Sequence, residues 1–288
     1  MNNKITIPNY AVIGNPVNHS RSPQIHHMFS EQTSIKLKYE KIQAFEYDFE
    51  QRVKDFFYMG GSGLNITVPF KQKAFMMISP NNISKRAALA KAVNTIWIEN
   101  NNLYGCNTDG VGLISDLKNL NFDLKNTSIL IVGAGGAARG ILYPLISSGC
   151  SKIKIANRTK TNAEIILKEF SEILEQTDIE ISCSSLQEAN SDGPWDIVIN
   201  TTASGLKNEA PNLPSGLFKT NKSLAYDLMY SAKKTPFILH SELDGATRVS
   251  DGLGMLVEQA AESFFIWHGI KPDTQLVLTS LKKELSTK

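Results

Sequence analysis

The chain has 288 residues, 42% hydrophobic and 20% charged, enough apolar material for about two packed domains and too much for a disordered protein. A formal charge of +2 is too mild for a nucleic-acid binder, no apolar run reaches membrane-spanning length, and the polar first ten residues lead us to expect no leader. Three scattered cysteines without C-x-x-C spacing predict reduced thiols, and five histidines without H-E-x-x-H predict no metal centre, so a cytoplasmic protein without membrane partners is expected.

Residues 10–14 predict a first strand, followed by a turn at Asn15-Pro16. His19-Ser20-Arg21-Ser22-Pro23 reads as a helix start, with Ser22 as N-cap and Pro23 at the first helical position. Ser20 adds a second hydroxyl beside that positive helix end, a pocket suited to a small carboxylate. Residues 37–43 alternate as a half-exposed strand, 45–59 as an amphipathic helix, and 60–63 read as a loop. In the strand 64–68, Asn65 and Thr67 point to one face. Pro69 ends that strand and puts Lys71 at a helix start, where the dipole disfavours an ammonium, as a proton acceptor needs. On spacing alone, a solvated lysine like Lys73 fits as well.

Residues 93–99 and 103–109 predict a hairpin closed by Asn100-Asn101-Asn102, with Glu99 opposite Leu103 and Asn94 opposite Thr108. That brings Asn94 and Asp109 together at the open end, where a polyhydroxylated ligand would satisfy them; a plain turn and helix cap at residues 107–110 is the competing reading.

Residues 129–132 form a short continuous apolar run, the pattern of a strand buried on both faces of a parallel sheet. Gly133-Ala134-Gly135-Gly136-Ala137-Ala138 then fits G-x-G-x-x-A and opens a helix that contains Pro144 and is expected to close at Gly149. Such a turn lets a pyrophosphate reach backbone N–H groups at the helix end. The next strand, 152–156, ends in Asn157-Arg158-Thr159-Lys160, where a carboxylate for a ribose 2′-hydroxyl would stand. Arg158 and Lys160 suit a 2′-phosphate instead, which implies NADP. Thr161 and Glu164 have capping-box spacing. Residues 196–200 and 223–230 predict further strands; Thr201 and Tyr230 follow near their carboxyl ends, facing a nicotinamide cleft. Gly252 and Gly254 permit close approach to a flat ring, and 255–268 is a strong helix with Gln259 at the margin of its apolar stripe. Tyr230 and Lys234 have the Y-x-x-x-K spacing of short-chain dehydrogenases, but Pro236 and the preceding strand rule out the shared helix face this needs.

Taken in order, Gly14-Asn-Pro-x-x-His-Ser-x-Ser-Pro23, Asn65-Ile-Thr-Val-Pro-Phe-Lys71, Ala92-Val-Asn-Thr95, Asn107-Thr-Asp-Gly110, the glycine turn, Asn157-Arg-Thr159 and Asp251-Gly-Leu-Gly-Met-Leu256 resemble the shikimate dehydrogenase family, from about Tyr10 to Pro272. The resemblance implies an α/β fold: a Rossmann-type doubly wound NADP-binding domain over 109–252, plus a discontinuous α/β substrate-binding domain over 1–108 and 253–288. It implies NADP-linked interconversion of 3-dehydroshikimate and shikimate, with Lys71 and Asp109 as the catalytic pair. Ser20, Ser22, Asn65, Thr67, Asn94, Asp109, Tyr230 and Gln259 match its substrate-binding groups. Gly133, Ala134, Gly135, Gly136, Ala137, Asn157, Arg158, Thr159, Lys160, Thr201 and Gly252 match the cofactor site, and the assembly is expected to be a monomer or homodimer. Asn162 stands where the family often has another arginine. The alternatives are a quinate/shikimate dehydrogenase using NAD, and a non-catalytic NADP-binding sensor on the same fold.

Overall fold

Two clusters of strands organise the chain in a computed structural model that describes residues 7–287. Part of the stretch on which the leader expectation rests, residues 1–6, lies outside the described residues.

The first cluster comprises β1 (Asn9–Gly14), β2 (Lys38–Gln43), β3 (Gly61–Ile66), β4 (Thr95–Glu99) and β5 (Asn102–Cys106), in the order β2-β1-β3-β4-β5. Strands β2, β1 and β3 are parallel, whereas β4 and β5 add antiparallel pairs at one edge. The helix Phe49–Tyr58 turns Phe49, Val53 and Phe56 into a core with Leu64, Ile66 and Phe70, and the rings of Phe49 and Phe70 stack at 4.5 Å. Burial of those side chains is the dominant favourable term for this layer.

Three expectations are corrected here. Residues 61–63 are strand, not loop, and the two glycines make room for rings: a methyl group on Gly61 would overlap Phe56, and one on Gly63 would lie 2.6 Å from Trp267. The hairpin turn is Asn100-Asn101 alone, with Glu99 opposite Asn102 and Ile98 opposite Leu103. Both turn residues adopt positive φ, 49° and 60°, the two-residue geometry whose twist matches the flanking strands and which asparagine tolerates. The first helix is Ser22–Thr33, so Ser22 is its first residue rather than its cap; Arg21 precedes it in helical conformation and no side chain caps the end.

The second cluster is β6 (Ser128–Val132), β7 (Lys152–Ala156), β8 (Glu180–Ser184), β9 (Ile197–Asn200), β10 (Leu224–Asp227) and β11 (Arg248–Ser250), ordered β11-β10-β9-β6-β7-β8 and parallel throughout. The order reverses between β6 and β9, as in Rossmann-type doubly wound sheets, whose ligands lie beyond the carboxyl ends at that switch. Strand β10 is shorter than expected, stopping at Asp227, where side-chain bonds replace the ladder. The helix Gly136–Ile146 is capped by Ser147, ahead of Gly149, which does adopt φ +82°. Pro144 lies in its last turn, where its missing N–H leaves one carbonyl without its helical partner. No capping box forms at Thr161, since the helix Lys160–Glu169 starts two residues earlier than that cap requires, with Thr159 at the cap position; a box forms instead at Ser185 and Glu188.

The chain divides into one unit running up to Gly112 and resuming over Val257–Ser280, and a second over Leu113–Leu256 that resumes at Leu281. The first two division points differ by a few residues from the sequence boundaries at 108 and 252, because they fall within the helices Asp109–Asn119 and Leu253–His268. The third, at Leu281, puts the end of the helix Thr274–Ser286 with the second unit, where the sequence reading kept the whole tail with the first. Among the described residues no helix is long and apolar enough to cross a membrane.

Candidate active site

In the first unit, Lys71 opens the helix Lys71–Met77, following Phe70. Its backbone carbonyl accepts from the Val93 N–H at 2.9 Å, which ties the helix start to the segment leading into β4. Asp109 opens the helix Asp109–Asn119, where the positive helix end favours a carboxylate. The two side chains meet: Lys71 Nζ lies 2.7 Å from Asp109 Oδ2, with 29% of the lysine side chain and 11% of the aspartate side chain exposed. An ion pair this sheltered retains more of its Coulomb attraction than a surface pair.

The other carboxylate oxygen is occupied by Asn94. Its Nδ2 donates to Asp109 Oδ1 at 2.8 Å and to Thr108 Oγ1 at 2.9 Å, while its Oδ1 accepts from the Thr108 N–H at 2.8 Å. Asn107 anchors the same turn, accepting from the Asp109 N–H and donating to the Ala92 carbonyl at 3.1 Å each. The expected meeting of Asn94 and Asp109 therefore occurs despite the corrected hairpin register, through side chains rather than strand pairing. Asn65 Nδ2 donates to the Asn94 carbonyl, Thr95 Oγ1 and Ser263 Oγ, at 3.2, 3.3 and 3.0 Å. Its Oδ1 accepts from the Tyr39 hydroxyl at 2.6 Å. Gln259, one helical turn before Ser263, accepts from Thr108 Oγ1 at 3.3 Å.

Ser20 and Ser22 adjoin each other: the Ser20 hydroxyl donates to Ser22 Oγ at 3.2 Å and accepts from the Ser22 N–H at 3.3 Å. They join the rest through Tyr39, whose phenol is pushed well above its ordinary range by burial and held back in part by a hydrogen bond from Ser22. Thr67 lies in the turn after β3, with its N–H on the Ile13 carbonyl and its methyl packed over Gly14, where a side chain would collide. The structure thus links Lys71, Asp109, Asn94, Asn65, Gln259 and the serine pair in one polar cluster. Tyr39, Thr95, Thr108 and Ser263, which sequence reasoning missed as functional residues, connect them. Ser263 was detectable four residues after Gln259, on the same helix face; Tyr39 carried no signal in a strand of alternating pattern.

In the second unit, the glycine turn leaves β6 with Gly133 at φ +109°, where a side chain would meet Thr201 Oγ1 at 2.5 Å. Thr201 belongs to this turn rather than facing freely outward: its hydroxyl donates to the Val132 carbonyl at 2.8 Å. Gly135, Gly136 and Ala137 are exposed, and space above Gly135 and Gly136 is open. The helix behind them has no side-chain cap, so its first N–H groups point outward for an anion. After β7, Asn157 holds the turn through its Nδ2 to the Thr159 carbonyl at 2.8 Å, leaving Arg158 and Lys160 exposed. Lys160 makes only a 4.0 Å approach to Glu164. Gly252 and Gly254 also meet a packing requirement: a side chain on Gly252 would overlap the Leu228 carbonyl, and one on Gly254 the Asp116 carboxylate. Those glycines are required by packing within the unit. Tyr230 is half-buried on the connection between β10 and the helix Pro236–Leu243.

Comparison with known proteins agrees with this arrangement. Residues 12–96 match the shikimate dehydrogenase substrate binding domain, 116–207 the shikimate / quinate 5-dehydrogenase model, and 252–282 the shikimate 5'-dehydrogenase C-terminal domain. The shikimate dehydrogenase (NADP(+)) of Bordetella avium (strain 197N) is 50% identical over 285 residues, covering 99% of both chains. Among solved structures, an Ael1 enzyme from Pseudomonas putida superposes with a TM-score of 0.87 at 40% identity, covering 95% of this chain and 98% of the other. Shikimate 5-dehydrogenase from Thermus thermophilus, solved with NADP(H) and shikimate, gives 0.84 at 29% identity, covering 97% and 100%. Likeness of that extent, running through both sheets and all three matched regions, makes the chain a member of the shikimate dehydrogenase family.

Proposed function

We propose that the protein reduces 3-dehydroshikimate to shikimate reversibly with NADPH, the first unit binding the substrate and the second the cofactor. The observation that carries this reading is the Lys71–Asp109 pair, 2.7 Å apart and backed by Asn94. The residues of the second unit fit NADP: a glycine turn with open space above it, an uncapped helix end, and the exposed Arg158 and Lys160 for a 2′-phosphate. Gly133, Ala134, Gly135, Gly136 and Ala137 would line the pyrophosphate, and Asn157, Arg158, Thr159 and Lys160 the adenosine ribose; Thr201 and Gly252 border the nicotinamide end. NADPH supplies the hydride that adds to the ketone carbon.

Lys71 Nζ delivers a proton to the ketone oxygen during reduction and takes it back during oxidation. Asp109 orients the ammonium through Oδ2 while Asn94 holds Oδ1, so the lysine has one rotameric position to adopt when the substrate arrives. Asn65, Thr67, Asn94 and Gln259 serve the ring hydroxyls, and Ser20 and Ser22 the carboxylate; Tyr230 of the second unit is a further group for that carboxylate by its match to the family. Cys106, Cys150 and Cys183 are free thiols, which suits a reducing compartment such as the cytoplasm.

The test mixes purified protein with shikimate and NADP, then separately with NAD and with quinate, and follows reduced nicotinamide by absorbance. Turnover fastest with shikimate and NADP is expected. No turnover with any pair would leave a nucleotide-binding sensor as the better reading, and preference for quinate with NAD would move the activity within the family.

A further inference from the structure

The carboxyl ends of β9 and β10 converge on a carboxylate that the chemistry above does not use. Asp227, the last residue of β10, is fully buried. Its Oδ1 accepts from Asn200 Nδ2 at 3.0 Å and from the Met229 N–H at 3.1 Å, and its Oδ2 accepts from the Thr235 hydroxyl at 2.6 Å. Asn200 ends β9 and in turn accepts from the Thr202 N–H and hydroxyl, at 3.1 and 2.7 Å. Thr235 caps the helix Pro236–Leu243 by accepting from the Ile238 N–H at 3.3 Å. One carboxylate therefore fastens both ends of the segment 228–235, which carries Tyr230, and joins it to the turn that carries Thr201. A third connection runs from the Gly252 N–H to the Met229 carbonyl at 3.1 Å.

This arrangement is costly to the fold. Burial, with the nearby charge of Asp251 acting in the same direction, raises the pKa of the Asp227 carboxyl, and its hydrogen-bonding partners are neutral. Only an ionised carboxylate offers acceptors on both oxygens without a proton of its own to place. A charge kept in such a site has its best explanation in the geometry it imposes.

We propose that Asp227 is a positioning residue for the dehydrogenase reaction, fixing Tyr230, Thr201 and Gly252 relative to one another through Asn200, Met229 and Thr235. This rests on the function proposed above. Asp227→Asn preserves shape but presents an amide N–H₂ where one oxygen stood, and Thr235→Val removes the hydroxyl contact while Thr235→Ser keeps it. For Asp227→Asn and Thr235→Val, kcat/KM for shikimate is expected to fall on the order of 10- to 100-fold, the scale of a misplaced contact group. Amide exchange in the segment 228–235 accelerates, and Thr235→Ser behaves as the native protein. Rates are compared at a temperature where native and variant proteins are both fully folded by circular dichroism, so a loss of kcat/KM there reports positioning rather than a merely structural role.

Unchanged kcat/KM and unchanged exchange in both variants overturn the proposal, as does an activity loss accounted for by the unfolded fraction alone. If Asp227→Asn does not fold, the two Thr235 variants decide. A native protein inactive on shikimate sinks the proposed function instead, and exchange in the segment 228–235 still decides whether Asp227 holds it.

Discussion

In the proposed mechanism Lys71 and Asp109 have distinct tasks, and their variants are expected to differ accordingly. On that proposal, removing the ammonium would abolish proton delivery in the transition state but little of the ground-state binding, which is assigned to the serine pair and the amides. Lys71→Ala is therefore expected to lower kcat by roughly a hundred- to ten-thousand-fold with KM changed far less. Steady-state kinetics checks this, and near-normal turnover would remove Lys71 from the chemistry. Arg158 is proposed to act on the cofactor alone. With its exposed guanidinium removed, Arg158→Ala is expected to raise KM for NADP by about 10- to 100-fold, the scale of lost charge-assisted bonds, while KM for NAD stays unchanged.

At the scale of elements, the helix Ser22–Thr33 carries the most unusual buried group of the first unit. His26 is fully buried and stacks on Tyr39 at 4.3 Å. Burial foremost, then the charge of His268, lowers its pKa from 6.5 to about 3. The unfolded chain thus takes up the proton first: stability from this group is complete above pH 6.5 and is lost as pH falls toward 3. The loss between pH 6.5 and 5 is about 2 kcal/mol. His268, lowered in the same direction by burial, adds to it. His26→Phe is expected to flatten this decline, and urea midpoints of both proteins at pH 7, 6 and 5 would measure it; parallel declines would refute the assignment. The strand β3 gives a complementary expectation. Gly63→Ala pushes a methyl group into Trp267, which stacks on Tyr10 at 4.6 Å, and should cost about 1–3 kcal/mol in denaturant unfolding.

For the whole molecule, the proposed carboxylate serines and the proposed 2′-phosphate clamp reside in separate units. Ser22, in the first, and Arg158, in the second, share no hydrogen-bond partner among the described residues. Ser22→Ala is expected to raise KM for shikimate alone, and Ser22→Ala combined with Arg158→Ala should reduce kcat/KM by the product of the single effects, within about twofold. A larger departure would reveal coupling between the two sets of groups. The quantity is read from initial rates with each ligand varied in turn.

The buried strands and glycine turn were legible in the sequence because apolar runs, positive-φ turns and helix starts are decided within a few residues of each other. The strand-turn-helix 128–146 and the strand 152–156 emerged from that local chemistry, as did the candidate lysine at a helix start. Contacts across hundreds of residues left no such trace. Asn65 meets Ser263 from 198 positions away, and Gly61 and Gly63 read as loop because the rings that need their space arrive from other elements. Asn200 read as a strand end and Asp227 as the middle of a longer strand, and only the parallel pairing of β9 with β10 makes them partners. Sequence alone thus determined which backbone conformations and chemical groups were available. The tertiary structure decided which groups are buried together, because desolvation and hydrogen-bond geometry depend on neighbours in space rather than along the chain.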